Sequence, residues 1–287
     1  MPEFPIVDAH VHLYDPGAVA YPWMADVPIL DEAHLPERFF ASTGHVEVES
    51  LVFVEVNAAS GEHAREAAFV RELVATEPRI GAMVVSLPLD RGEAVMPELE
   101  ACAADPLTRG VRTLIELHED EPGWALREPF VAMVGALARF DLSFDVCLRH
   151  AQLPDAIELV RRCPDTRFVL DHLGKPPAKA GRTSPWADRI DELAAEPNVA
   201  CKVSGLVTEA DHGRWTVEDL RPYVEHVIET FGSDRVMFGG DWPVSRLACA
   251  YPDWVDALDR IVAGASDDER RRLYRDNARA FYRLGPG

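Results

Sequence analysis

Two stretches far apart in the chain carry the residues whose types and spacing point to chemistry: Asp8-Ala9-His10-Val11-His12, and Asp241 directly after Val236-Met237-Phe238-Gly239-Gly240. Neutral imidazole is the commonest metal ligand, and two of them spaced i, i+2 on a strand can reach one metal ion or one substrate oxygen together. A carboxylate at the end of a buried strand can take a proton from water. Alternate side chains of a strand share a face, so Asp8, His10 and His12 are expected to point inward together, among the apolar Val7, Ala9 and Val11. Two blander readings stay open: histidines hydrogen-bonded in a polar strand mouth, and an Asp241 that caps the next helix.

Other polar residues fall at similar places. His172 stands in Val169-Leu170-Asp171-His172-Leu173-Gly174-Lys175-Pro176, just before a Gly/Pro turn. Lys202 and Ser204 share one face of an otherwise apolar run, Arg112 follows Gly110-Val111, and Glu55 precedes Asn57 by two residues. A charge facing a barrel interior is costly unless paired or used, so several at strand ends point to a site. An internal ion-pair network of Arg112, Lys202 and Glu55 is the alternative.

The elements that must position these residues alternate regularly. Strands are predicted at Ile6 to His12, Ser50 to Val56, Gly81 to Leu87, Gly110 to Ile115, Ser143 to Leu148, Arg167 to His172, Val199 to Ser204 and Val236 to Gly240. Helical spacing lies between them, most clearly in Leu220, Tyr223, Val224, Val227, Ile228 and Phe231, and a last helix is predicted from about Asp267 to Tyr282. Eight such units predict a closed (β/α)8 TIM barrel forming a single domain over 1–287, with an open doubly wound sheet as the other solution. In both, chemistry belongs at the carboxyl ends of the strands. Tyr14 to Phe40 reads as an irregular lid or pocket wall carrying Tyr21-Pro22-Trp23-Met24.

Bulk composition narrows the partners. A formal charge of −20 opposes nucleic acid and anionic membrane, because a field of that sign repels phosphate. The five cysteines form no CxxC pair, and neither a leader nor an apolar run of membrane-spanning length is evident, so a cytoplasmic protein with reduced thiols is expected. The expected partner is a small molecule, with self-association into a homo-oligomer left open. No GxSxG elbow or activated cysteine is present, so no covalent intermediate is expected.

DAHVH at 8–12, GVR at 110–112, VLDHLGKP at 169–176, CKVSGL at 201–206 and MFGGDWPV at 237–244 together resemble the amidohydrolase superfamily. The similarity is to its sugar-lactone hydrolase branch, which opens lactones such as L-fuconolactone or L-rhamnonolactone. The resemblance implies that Asp241 activates water, that His172 is catalytic beside it, and that His10 and His12, with His172 and Asp241, hold one divalent metal ion. Zn2+ is the first choice, and a metal-independent site is the alternative. Strand four offers Arg112 and Thr113 where binuclear members have a bridging lysine or glutamate, so a binuclear centre is not expected. Arg112 resembles a substrate-contacting arginine.

Glu55, Asn57 and Lys202 are candidate hydroxyl partners. Trp23 and Trp242, with Tyr14 and Tyr21, are candidate stacking surfaces for a sugar ring. His118, in the acidic loop Glu116 to Glu121, is the outlying histidine expected nearest the substrate; His34, His45, His63, His212 and His226 are expected at the surface. Alternative functions are a metal-dependent decarboxylase or a pyrone dicarboxylate-type lactonase on the same barrel, and a non-catalytic sugar-binding scaffold.

Overall fold

Runs of Val, Ile, Leu, Phe and Met form eight parallel strands: β1 (Ile6–Val11), β2 (Val48–Val54), β3 (Ile80–Ser86), β4 (Thr108–Leu114), β5 (Ser143–Cys147), β6 (Arg167–Leu170), β7 (Val199–Val203) and β8 (Val236–Phe238). This is a computed structural model, and it describes residues 2–285. Each strand pairs with the next in sequence, in the order β1 to β8. The ring closes just beyond β8, where His12 N donates to Trp242 O at 2.8 Å and Asp241 N donates to His10 O at 2.8 Å. An open sheet has no such return to its first strand, so the closed barrel is the architecture. Among the described residues no helix is long and apolar enough to cross a membrane.

Helices α1 (Pro36–Ser42), α2 (His63–Val74), α3 (Met96–Ala103), α4 (Glu128–Ala136), α5 (Leu153–Arg162), α6 (Trp186–Ala194), α7 (Val217–Phe231) and α8 (Tyr251–Ile261) form the outer layer. On α7 the stripe read from sequence is buried at Leu220, Tyr223, Val224, Val227 and Phe231. Thr216 caps its first turn and exchanges hydrogen bonds with Asp219. The predicted last helix is α9 (Asp267–Arg271) and α10 (Asn277–Phe281), joined through a π turn at Arg272–Asp276. It packs across the amino end of the barrel. There Ala278 and Tyr282 join Val7, Ala9, Val52, Val84, Ala200 and Met237 in one apolar cluster inside the lumen.

Two expectations need correction. The stretch Tyr14 to Phe40 is less irregular than its prolines imply: it holds a 3-10 turn at Pro22–Asp26 and the helix α1. The other concerns β1, where strict alternation fails. The β1–β2 register shifts between Asp8 and Val11, which is a bulge. Val7 and Ala9 therefore join the lumen cluster, while Val11 packs in the outer layer. His10 and His12 both face the lumen, but Asp8 faces outward and accepts from Tyr251 Oη on α8 at 2.9 Å. Gly240 allows this: a Cβ there would lie 2.4 Å from Asp8 Oδ2 and 2.4 Å from the Tyr251 ring.

Candidate active site

At the carboxyl ends of the strands lies a cavity of about 290 Å³, lined by His12, Asn57, Arg112, His172, Asp241, Glu116 and Lys175 among others. Tyr14, Trp23, Val56, Leu114, Leu117 and Val244 give it largely apolar walls. Its floor is strained backbone. Asn57, His172, Leu173, Lys175 and Asp241 all have φ between 48° and 56°, the left-handed region that L-residues avoid at a cost of roughly 1–2 kcal/mol each. This concentration, immediately after β2, β6 and β8, turns the side chains of His172 and Asp241 toward one point. Gly205, at φ +59°, completes the arrangement, since a Cβ there would come within 2.5 Å of His172 Nδ1 and 2.9 Å of Asp241 Oδ2.

Three imidazoles surround one oxygen. Asp241 Oδ1 is 3.4 Å from His12 Nε2, 3.8 Å from His10 Nε2 and 4.0 Å from His172 Nε2. The other ring nitrogens are occupied. His12 Nδ1 lies 2.8 Å from Val54 O, which can only accept, so that nitrogen carries the proton and Nε2 presents a lone pair. His172 Nδ1 is 2.9 Å from Ser204 Oγ, and His10 Nδ1 is 3.2 Å from Lys202 Nζ and 3.4 Å from Asp171 Oδ1.

Burial lowers the proton affinity of His172 to about 4, against the opposing pull of Asp241 and Asp171, and depresses His10 further below its ordinary value, with Lys202 adding to the effect. Both rings are neutral at physiological pH. Burial pushes the Asp241 carboxyl up, but His172, His12 and His10 outweigh it in acid and hold the group ionised.

A second polar layer lies beneath. Arg112 Nε donates to Glu55 Oε1 at 2.6 Å, Nη2 to Glu55 O at 2.6 Å, and Nη1 to Asp171 Oδ2 at 3.1 Å. Lys202 Nζ reaches Asp145 Oδ2 at 2.6 Å and Asp171 Oδ1 at 3.0 Å, and Tyr282 Oη donates to Asp145 Oδ2 at 2.8 Å. Burial and its two carboxylate partners act oppositely on Lys202, and the partners win, keeping it charged. One ammonium shared by two carboxylates leaves burial dominant at Asp145, whose proton affinity is raised.

The donor set fits a metal ion. His12 Nε2 and Asp241 Oδ1 are both acceptors, and at 3.4 Å no proton joins them unless the ring is doubly protonated. Tetrahedral ligands about 2.1 Å from a zinc ion stand about 3.4 Å apart, so the spacing is that of a coordination shell rather than of hydrogen bonds. His10, His12 and Asp241 form one such group, and His10, Asp171 and His172 a second that overlaps it. The charge balance agrees. Asp241, Asp171 and Glu55 outnumber Arg112 and Lys202 even with Asp145 protonated.

The sequence-derived candidates divide accordingly. His12, His172, Asp241, Arg112, Asn57 and Trp23 line the cavity. His10 lies just below its surface, fully buried. Glu55 and Lys202 are not hydroxyl partners: they are spent on Arg112, Asp145 and Asp171 in the lower layer, the internal network that was the alternative reading. Trp242 is not a stacking surface. It is fully buried outside the cavity against Phe39 and His34, because the left-handed turn at Asp241 sends the next side chain outward.

His118 stacks on Trp124 at 3.8 Å between ring centres instead of facing the cavity. His34 is buried, not superficial, and packs on Tyr14 and Trp242. Sequence reasoning gave no role to Asp145 in the lower layer, or to Glu116 and Thr208, which line the cavity. Asp145 was detectable as the lone charge inside the apolar β5; the other two sit on loops whose course no periodicity reveals.

Fold and site together define a barrel hydrolase with a histidine and aspartate cluster at the strand mouths. The chain matches the amidohydrolase family over residues 7–284 and belongs to it. It is 32% identical over 292 residues to an L-fucono-1,5-lactonase of Burkholderia multivorans, covering 97% of this chain and 96% of that one. A Burkholderia ambifaria L-fucono-1,5-lactonase is 37% identical over 194 residues, 65% of each chain. A crystal structure of a Burkholderia multivorans amidohydrolase with bound zinc superposes with a TM-score of 0.88 at 30% identity, covering 98% of this chain and all of that one.

Proposed function

We propose that this enzyme hydrolyses a small, neutral sugar lactone to its hydroxy acid, with Asp241 as the base for the attacking water. The observation that carries the reading is Asp241, ionised at the cavity floor within 3.4–4.0 Å of three imidazole nitrogens. The lactonase relatives support the reaction class. The charges lining the cavity support a neutral substrate. Lys175 pairs with Glu116 and Arg112 with Glu55, which leaves no unpaired lysine or arginine among the described residues of the lining for a dicarboxylate.

Water adds to the ring carbonyl as Asp241 takes its proton. Burial keeps the His10 and His172 rings uncharged at neutral pH, so they do not compete with this carboxylate as cations there. Negative charge develops on the carbonyl oxygen. Arg112 has three of its five N–H groups committed to Glu55 and Asp171 and Nη1 also 3.5 Å from His10 Nε2, which leaves a second N–H on Nη2 of this cavity-lining residue to meet that charge. As the ring C–O bond breaks, the leaving oxygen recovers the proton from Asp241, directly or through His172 Nε2. Water and the lactone are thereby consumed in equal amounts, and the hydroxy acid is released.

His10, His12 and Asp241 would hold a single divalent ion, zinc by the mixed imidazole and carboxylate donor set, and it would supply Lewis acidity at the carbonyl. A panel of aldonolactones assayed by acid release, with and without chelator, tests the proposal. Saturable hydrolysis of at least one neutral aldonolactone is expected. Saturable turnover of pyrone dicarboxylate and of no aldonolactone would overturn it.

A further inference from the structure

Two residues of the cavity wall belong neither to the histidine cluster nor to the ion network below. Glu116 lies in the loop after β4 and Lys175 in the loop after β6, and Lys175 Nζ donates to Glu116 Oε2. Lys175 is held in place twice over: its backbone is left-handed at φ 48°, and its carbonyl is 3.1 Å from His150 Nδ1. Arg149 Nε approaches Glu116 Oε2 at 3.6 Å from the rim. Among the described residues, the one donor recorded to Glu116 Oε1 is the thiol of Cys147 at 3.6 Å, a weak one.

The pair thus offers the cavity a carboxylate oxygen without a strong donor beside an ammonium with N–H groups to spare. A hydroxyl both donates and accepts, so two neighbouring hydroxyls can satisfy both at once, through charge-assisted bonds stronger than neutral ones. An anionic substituent brought to Lys175 would meet Glu116 instead. A solvated latch between two loops would not need to line the cavity, whereas both side chains do, at 13% and 17% exposure.

We infer that Glu116 and Lys175 read the substrate's hydroxyl groups, and that they select a polyhydroxylated lactone bearing two adjacent ring hydroxyls over an unsubstituted ring. The inference rests on the lactone-opening reading for the reaction but not for the recognition. Glu116→Gln and Lys175→Met are compared with wild type on two substrates, the aldonolactone that wild type opens fastest and unsubstituted δ-valerolactone. Binding of a neutral, unhydrolysable pyranose is measured by calorimetry alongside.

In both variants kcat/KM for the aldonolactone is expected to fall about ten- to a hundred-fold, while that for δ-valerolactone stays within about three-fold. Pyranose binding is expected to weaken in parallel. Equal losses on both lactones, or unchanged discrimination, would overturn the inference. If wild type opens no lactone, the reaction proposal fails by itself. The pyranose then decides recognition: binding by wild type that both variants lose supports it, and no difference sinks it.

Discussion

The barrel lumen holds two polar layers that differ in one respect. In the lower layer, Arg112, Glu55, Asp171, Lys202 and Asp145 meet at 2.6–3.1 Å, the distances of made hydrogen bonds and ion pairs. In the upper layer, Asp241 Oδ1 stands 3.4–4.0 Å from the Nε2 atoms of His10, His12 and His172. The lower layer is finished by the protein itself, at the end closed by Tyr282 and the last helix. The upper layer is a group that could hold a metal ion, and its His172 and Asp241 have left-handed backbone at the strand mouths. A buried charge network, so often read as a site, has its partners in place here, and the sparse cluster above it is the one to which the proposed chemistry is assigned.

Substitutions should separate the two layers. The largest effect on turnover belongs to the upper one. Asp241→Asn is expected to lower kcat about 10²–10⁴-fold with KM little changed, since the amide cannot accept the water's proton. Steady-state kinetics on the best aldonolactone measure it, and comparable kcat values for the two proteins would break the assignment.

In the lower layer the loss should appear as stability. Lys202→Met strands Asp145 without its cation and leaves Asp171 with Arg112 alone, and denaturant unfolding should show a loss of about 3–5 kcal/mol. A stable variant with selectively lost turnover would instead move Lys202 into the chemistry.

The smallest effect is expected at Asp8, outside both layers. Burial raises this carboxyl to about 7 from its ordinary 3.8, although Gly240 N, His10 N and Tyr251 Oη donate to it. The folded state therefore binds the proton more tightly, and stability present below pH 3.8 is lost as pH rises through about 7. Asn in its place keeps the acceptor without the titration. Between pH 5 and 8, wild type should lose roughly 2–3 kcal/mol relative to Asp8→Asn. Parallel stability curves for the two proteins would show that Asp8 does not carry this dependence.

The barrel and much of the site were legible in the chain because their signals are local or repeat. Eight apolar runs, each followed by a polar turn and a helical stripe, impose the topology. His12, His172 and Asp241 converge because each ends a strand at the same rim. The bulge in β1 was hidden, since Val7, Ala9 and Val11 are apolar in either register and the sequence pattern does not distinguish a bulged strand from a regular one. Trp242 and His34 misled for a related reason: a left-handed residue redirects its successor, and a polar loop residue such as His34 can still be covered by the chain around it. Lys202 and Glu55 were conspicuous as charges among apolar neighbours, but their partners lie 57 positions away in sequence, on Asp145 and Arg112.

The upper layer can be tested directly by titrating zinc into metal-stripped protein by calorimetry, with His12→Gln measured beside it. One ion bound per wild-type chain, and affinity at least about ten-fold weaker in the variant, is the expected result. No saturable binding, or equal binding by the two proteins, would contradict a cluster spaced to receive a cation.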